Sequence, residues 1–469
     1  MEHFLELIQH GIELYNEYVG GYLVLILLIP TGIYFTIRFK FLQISKIGHA
    51  IKIVAGKFDK KEDKGDVNHF KALTTALSAT VGTGNIVGVS LAIYWGGPGA
   101  MFWIWVTGFL GMMLKMVECT LALKYRQENE DGSVSGGPMY YMEIGLKKIV
   151  GNFGKILAVI FAVAAVLCSF GTGNMAQSNS IASAMTGYDV PVWLTGIITT
   201  LLVLLIIVGG IKRIGEVTSR LVPIMAVLYF ISAIVIISLY IGDIPSAFNK
   251  ILVGAFTGKG AAGGLAGSAF MFSLIYGVRR GLFSNEAGQG SAAIAHAAAK
   301  TDHPMREGLV ASLEPLIDTI IICTLTAMVI ILTGVYEHRS EDVKGVLLTV
   351  EAFETGLNKI HLGMFAQHIV SIGLLLFAFS TIISWSYYGS RAVQYLFGWK
   401  SIKPYYYIYG LFVFLGCVGE LDLVWAFVDM VITFMTIPNL IALILLSGVM
   451  KKEIDKYFEY MKLEKYGKN

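Results

Sequence analysis

Apolar residues run along this chain in stretches of about 20, the length a helix needs to cross a hydrocarbon layer, with short polar joints between them. About eleven such stretches are legible, near 17–38, 69–95, 98–125, 155–186, 191–210, 214–241, 262–298, 307–335, 363–390, 403–418 and 422–449. The polar, partly amphipathic region from Glu337 to His361 predicts a short surface helix over the bundle. Two stretches carry the same kind of interruption. One is Ala79-Thr80-Val81-Gly82-Thr83-Gly84-Asn85 and the other is Asn285-Glu286-Ala287-Gly288-Gln289-Gly290-Ser291. Each sets a G-x-G and a small polar residue inside an apolar run. Glycine weakens a helix and leaves its backbone accessible. In hydrocarbon, an opened backbone is tolerated only where protein or a water-filled cavity surrounds it.

Composition strengthens the membrane reading. Hydrophobic residues are 55% of the chain, charged residues 15%, and the mean hydropathy is +0.66. A soluble domain carries roughly 25% charged residues. Fifty-two glycines against ten prolines suit a tightly packed helical bundle. The fold class expected is an all-α integral membrane protein forming a single domain. A net charge of +3 gives no reason to expect a nucleic-acid partner; the surrounding partner is membrane lipid, and no obligatory protein partner is evident. No cleavable leader is expected, because the first residues are acidic and precede a full-length apolar stretch. Cys119, Cys168, Cys323 and Cys417 lie in apolar segments without a C-x-x-C pair and read as small buried hydrophobes.

Lysine and arginine set the orientation. Residues 1–19 contain none, whereas Arg38 to Lys71 contains nine. Lys124, Arg126, Lys147, Lys148 and Lys155 continue the bias on alternate loops, and the tail from Lys451 to Lys468 repeats it. The expected arrangement is a multi-pass protein of the cell membrane with its N-terminus outside and its C-terminus cytoplasmic. Setting the first stretch (17–68 with its linker) aside leaves ten, and the two interruptions fall in the first and sixth of them. This divides the chain into repeats 69–241 and 262–449 of five helices each, which start on opposite sides: a five-plus-five inverted repeat with one extra N-terminal helix. Paired broken helices in matching positions point to a transporter's binding site.

A broken helix offers free N–H groups and positive dipole potential at the start of its second half, which suits a carboxylate. Thr83, Gly84 and Asn85 are placed to face the carboxylate of a small zwitterion. The carbonyls of Ser78 and Val81 suit a cation or an ammonium group. The second interruption contains Ser284, Asn285, Glu286, Gln289 and Ser291. Glu286 is able to bind a cation, to pair with Arg279 or Arg280, or to titrate as a proton carrier.

A third cluster, Phe377-Ala378-Phe379-Ser380-Thr381, puts a carbonyl and two hydroxyls on one helix face at i, i+3 and i+4. Hard alkali cations favour such oxygens, although membrane-helix hydroxyls also commonly bond their own backbone. In the polar stretch Gly171 to Asn179, Asn174 and Gln177 share a face and reach either substrate or a neighbouring helix. Phe283 and Trp385 are candidates for aromatic walls. Lys115 with Glu118, and Glu314 with Asp318, read as buried structural charges, with Asp318 also able to reach the cavity.

The run Gly96-Gly97-Pro98-Gly99-Ala100-Met101-Phe102-Trp103-Ile104-Trp105, the stretch from Arg280 to Gly288 and Ala295-His296-Ala297 together resemble the alanine or glycine:cation symporter family of prokaryotic amino-acid transporters. Ile104 and Gly108 depart slightly from its commonest form. The resemblance covers essentially the whole chain and implies the five-plus-five fold of the sodium-coupled amino-acid transporter LeuT. By that likeness, Thr83 and Gly84 receive the substrate carboxylate, and a sodium ion lies between Ser78, Val81, Phe377, Ser380 and Thr381. Thr80 and Asn85 fall near a second ion position of that fold. The function implied is sodium-coupled import of alanine or glycine by alternating access, without enzymatic chemistry. The alternative is a proton-coupled carrier using Glu286 or Asp318. A channel lacks support, because no selectivity ring is legible, and His296 has no metal-spaced partner for an intramembrane enzyme.

Overall fold

The computed structural model describes residues 10–12, 14–16, 18, 21–60, 62–130, 132–257, 266–338, 345–419 and 422–466. Helix occupies every apolar segment in these residues. The elements are α1 (Gly21–Arg38), α2 (His69–Thr80), α3 (Gly84–Gly96), α4 (Ala100–Lys124), α5 (Phe153–Thr186), α6 (Val192–Ile207) and α7 (Gly210–Leu239). They continue with α8 (Ala266–Asn285), α9 (Ser291–His296), α10 (Pro304–Thr333), α11 (Val346–Asn358), α12 (Ala366–Phe397), α13 (Ile402–Val418), α14 (Asp422–Leu445) and α15 (Ser447–Tyr466). The start of the predicted segment 262–298 lies outside the described residues. A two-stranded hairpin, Gln127–Glu128 against Val134–Ser135, is the one sheet among them.

Unlike a water-soluble protein, the chain combines an apolar core with an apolar outer face and a set of buried polar residues. Leu201, Leu205, Ile224 and Ile231 are all more than half exposed on the outer faces of α6 and α7. Ser78, Asn85, Asn174, Glu118, Glu314 and Asp318 are fully buried. Apolar side chains outside and hydrogen-bonded polar ones inside minimise free energy when the surrounding solvent is hydrocarbon. Helices α4, α5, α7, α10 and the run Gly363–Phe397 are each long and apolar enough to cross a membrane. The α2–α3 pair passes the same test as one span bent by 50°.

Both predicted interruptions are real breaks. Asn68 caps α2 by accepting the Lys71 N–H at 2.9 Å. The helix stops at Val81, whose ψ of 92° leaves the helical region, and winding resumes at Gly84. The second break turns through three left-handed residues, Glu286 (φ 51°), Gly288 (φ 77°) and Gly290 (φ 80°), before α9 begins. Two of them are glycine, which adopts that conformation without a Cβ clash. The amphipathic region predicted after Glu337 contains α11, whose Leu348, Ala352 and Phe353 pack inward.

Candidate functional site: two helix breaks joined by a carboxylate

The two breaks touch. A Cβ placed on Gly84 would lie 3.1 Å from the Ser284 Cα and 3.2 Å from the Phe283 ring, so a side chain there crowds the second broken helix. Polar groups complete the joint. Asn85 donates through Nδ2 to the Asp318 carboxylate at 2.6 Å, and Ser284 donates to the other carboxylate oxygen at 2.8 Å. Thr319 adds a third donor at 2.7 Å. Asp318 thus ties the start of α3 to the end of α8 from a buried position on α10. The sequence reads Asp318 as a buried structural charge that is also able to reach the cavity; only the fold brings it to both breaks.

Asn85 also folds back to accept the Gly82 N–H at 2.9 Å. This fixes the open loop and directs its remaining amides. Thr83 and Gly84 stand at the entry to α3, where N–H groups lack intrahelical partners by position. Gln177 donates to the Thr83 hydroxyl at 3.1 Å and so reaches the break. Its own Oε1 is buried without a partner among the described residues. Asn174 turns the other way and donates to the Tyr409 carbonyl at 2.8 Å. Thr80 is back-bonded to Ala76 and Leu77 within its own helix.

A cavity of about 310 Å³ opens from the first break on the side away from the lysine-rich loops. Thr83 lines it from the break, Gly88 and Leu91 from α3, Arg280 and Phe283 from α8, and Asn179 from α5. Leu374 and Val346 close it from α12 and α11. Of the two aromatic candidates, Phe283 faces this space. Trp385 is fully buried behind the second break, where its Nε1 donates to Glu286 at 2.9 Å.

Glu286 therefore differs from one of its expected pairings: neither Arg279 nor Arg280 is its ion-pair partner in the structure. Arg279 donates to the Asn16 carbonyl, and Arg280 stacks over Phe283. Glu286 instead accepts from Trp385 and from Ser291 at 2.6 Å, which braces the left-handed turn across its own gap. The expected Lys115–Glu118 pair also gives way. Lys115 meets Glu314 at 3.0 Å, and Glu118 accepts from Asn439. Glu118 is as buried as Glu314, so helix crossing and not burial sets the choice: the fold brings Glu314 within 3.0 Å of the ammonium. Trp385→Phe keeps the ring packing but removes the donor to Glu286. The variant is expected to lose about 1 kcal/mol of stability, the size of one net hydrogen bond. A thermal midpoint equal to that of the native protein would show that the indole N–H is dispensable.

Beside the first break lies a cluster of oxygens. The Ser380 and Thr381 hydroxyls reach the Ser78 carbonyl at 3.2 and 3.1 Å and the Phe377 carbonyl at 2.8 and 3.1 Å. The Ser78 hydroxyl also meets Ser384. A Cβ on Gly82 would sit 2.6 Å from the Thr381 Oγ1, so the bare glycine lets the residue after Val81 approach α12. Two carbonyls and two hydroxyls converge here, and none belongs to an ionised side chain. That donor set fits a hard monovalent cation, which takes oxygen ligands. Among the described residues there is no His/Cys/Asp/Glu cluster of the kind that holds a transition metal.

The sodium/alanine symporter AgcS of Methanococcus maripaludis is 44% identical over 96% of this chain and 97% of its own. A Bacillus subtilis relative named "Probable sodium/glutamine symporter GlnT" is 36% identical over 98% of this chain and 93% of its own. The fold is similar to that of MhsT, crystallised with L-phenylalanine, with a TM-score of 0.56 at 16% identity over 82% of this chain and 90% of that one. The model of the sodium:alanine symporter family matches residues 5–469, and this chain, with its paired helix breaks and multi-pass helical bundle, belongs to that family of secondary transporters.

Proposed function

We propose that this chain carries a small neutral amino acid, alanine or glycine, into the cell together with sodium by alternating access. The observation that carries the reading is a juxtaposition. Two helix breaks share Asp318, a cavity ends on Thr83, and the loop between α2 and α3 abuts an oxygen cluster on α12. In this reading the Thr83 and Gly84 amides bind the substrate carboxylate, oriented by Asn85 and Gln177. Phe283 and Ser284 bound the side-chain space, and the contact between the breaks favours a small residue. Asn174 and Trp385 support from behind. Sodium takes the oxygens of Ser78, Val81, Phe377, Ser380 and Thr381, and so bridges α2 to α12.

Coupling follows if the ion and the amino acid each prefer the same arrangement of α2 and α3 relative to α12, since a ligand shifts an equilibrium only by its differential affinity. The topology proposed has about eleven spans, an extra first helix and repeats 69–241 and 262–449, with the N-terminus outside and the C-terminus in the cytoplasm. The similarity to the sodium/alanine symporter AgcS of Methanococcus maripaludis supports the choice of ion and substrate.

Alanine uptake into proteoliposomes is expected to follow an inward sodium gradient and to be competed by glycine. Accumulation that ignores sodium would overturn the reading. A second reading, proton coupling through Asp318, draws on that carboxylate's buried place between the breaks. Varying pH at fixed sodium separates the two, because a proton gradient alone then drives uptake only under the second.

A further inference from the structure

The cavity on one side of the breaks has a counterpart on the other: a closed seam built from backbone. The chain entering α2 lies alongside the chain leaving α9. Asp66 and Val67 donate to the Ala298 carbonyl at 2.8 and 3.1 Å, Lys300 donates to Val67 at 2.7 Å, and Thr301 donates to Lys64 at 3.0 Å. Gly65, at φ 139°, makes the approach possible, since a Cβ there would fall 2.4 Å from the Ala299 carbonyl oxygen. One side chain stitches the seam. The Arg126 guanidinium donates to Ala297 at 3.1 Å, Ala299 at 2.7 Å, Lys64 at 2.9 Å and Thr301 at 2.9 Å. Its planar fork reaches both strands at once, which a lysine ammonium with three donors on one atom cannot reproduce.

A second layer lies one turn deeper. Glu307 on α10 is fully buried between two imidazoles, His69 at the start of α2 and His296 at the end of α9. The Nδ1 of His296 stands 2.6 Å from one carboxylate oxygen, and His69 meets the other. Each half-helix on the lysine-rich side of a break is thereby held to the same carboxylate. The pairing continues inward, with His296 Nε2 at 3.7 Å from Glu314, which binds Lys115.

Resting on the transporter reading above, we propose that Arg126 and Glu307 are positioning residues that form a two-layer inner lock, holding α2 against α9 until cargo is loaded and parting to release it toward the lysine-rich side. The joint suits this use. Its outer layer consists of hydrogen bonds between loops, with alanine and glycine at the contact, and its inner layer of polar side chains on α2, α9 and α10. In contrast, Asp318 and Glu286 sit at the breaks themselves, so they are placed to serve the bound cargo rather than the seam.

The test places a reporter behind the lock. Ala72 is buried on α2, three residues from His69 and on its face. The four native cysteines are all buried and give a low background. Full-length Ala72→Cys protein, in liposomes, is labelled with a membrane-impermeant maleimide applied to the lysine-rich side. Adding Arg126→Ala is expected to raise the labelling rate about tenfold by shifting the two-state population toward the open arrangement. Glu307→Gln is expected to raise it as well, and Arg126→Lys to give an intermediate rate. Excess sodium without amino acid leaves the cargo incomplete and ties α2 to α12, so it should slow labelling in the native background and less so in the variants, a response that a merely structural role would not show. If Arg126→Ala does not yield monodisperse protein, Gly65→Ala opens the same seam from the opposite strand and carries the same expectation. Labelling that stays at the native rate in well-folded Arg126→Ala and Glu307→Gln, or in Gly65→Ala, overturns the lock. That outcome is separate from failure of the transport reading, which shows itself as sodium-independent uptake by the unmodified chain.

Discussion

Asp318→Ala is expected to lower sodium-driven uptake by about a hundredfold while leaving a monodisperse protein. The carboxylate is the acceptor for Asn85, Ser284 and Thr319, and it lies where the two breaks meet. Removing it strands buried donors, at about 1–3 kcal/mol for each group left without a partner. More is at stake than stability, because Asn85 holds the first break open through the Gly82 N–H and depends on Asp318 for its own orientation. Asn85 then keeps only the longer contacts to the Ser284 hydroxyl and the residue 318 carbonyl, at 3.0 and 3.1 Å, and the Thr83 and Gly84 amides lose part of their fixed aim. Asp318→Asn keeps the shape but turns one accepting oxygen into a donor facing Asn85 or Ser284. It should retain more activity than alanine, yet far less than the native protein. Initial rates in proteoliposomes, normalised to monodisperse protein, check both. An alanine variant within about threefold of native, a difference smaller than 1 kcal/mol, would show that the bridge is incidental to transport.

Thr381→Ala should act on the ion rather than on the amino acid. The hydroxyl stands 3.1 Å from both the Ser78 and the Phe377 carbonyl, at the centre of the oxygen cluster. A hydrogen bond or contact to a charged partner is worth about 1.5–3 kcal/mol. Loss of one such ligand therefore raises the sodium concentration for half-maximal uptake by about thirtyfold, the equivalent of about 2 kcal/mol. Thr381→Ser keeps the oxygen and should stay close to native. At saturating sodium the alanine variant should recover most of its maximal rate, which separates a lost ligand from a damaged fold. An unchanged sodium dependence would remove Thr381 from the ion site.

These two residues also show what kind of information each level of description supplies. Thr381 stands out in the sequence because a carbonyl and two hydroxyls at i, i+3 and i+4 share a face whatever the rest of the chain does. Asp318 carries no such signature. Of its three donors only Thr319 is a neighbour in sequence, and its partners Asn85 and Ser284 are respectively 233 and 34 residues away. Arg126 is similar: its four acceptors are carbonyls, and every residue type has one.

The sequence alone determined the class of solvent, the apolar segments and the position of both breaks. Hydropathy and glycine spacing are local properties, and hydrocarbon punishes an unpaired backbone too heavily for the message to be ambiguous. It also marked Thr83, Gln177, Ser380 and Thr381, whose polarity is costly inside a membrane. Tertiary structure decided the pairings. It gave Lys115 to Glu314 rather than Glu118, braced Glu286 with Trp385 and Ser291 rather than an arginine, and joined the breaks through Asp318. It also chose Leu374 and Val346 as cavity walls, since nothing distinguishes them from other apolar residues until helices pack. A buried polar group finds whichever partner the fold brings within about 3 Å, and that distance depends on how helices cross, not on their order along the chain.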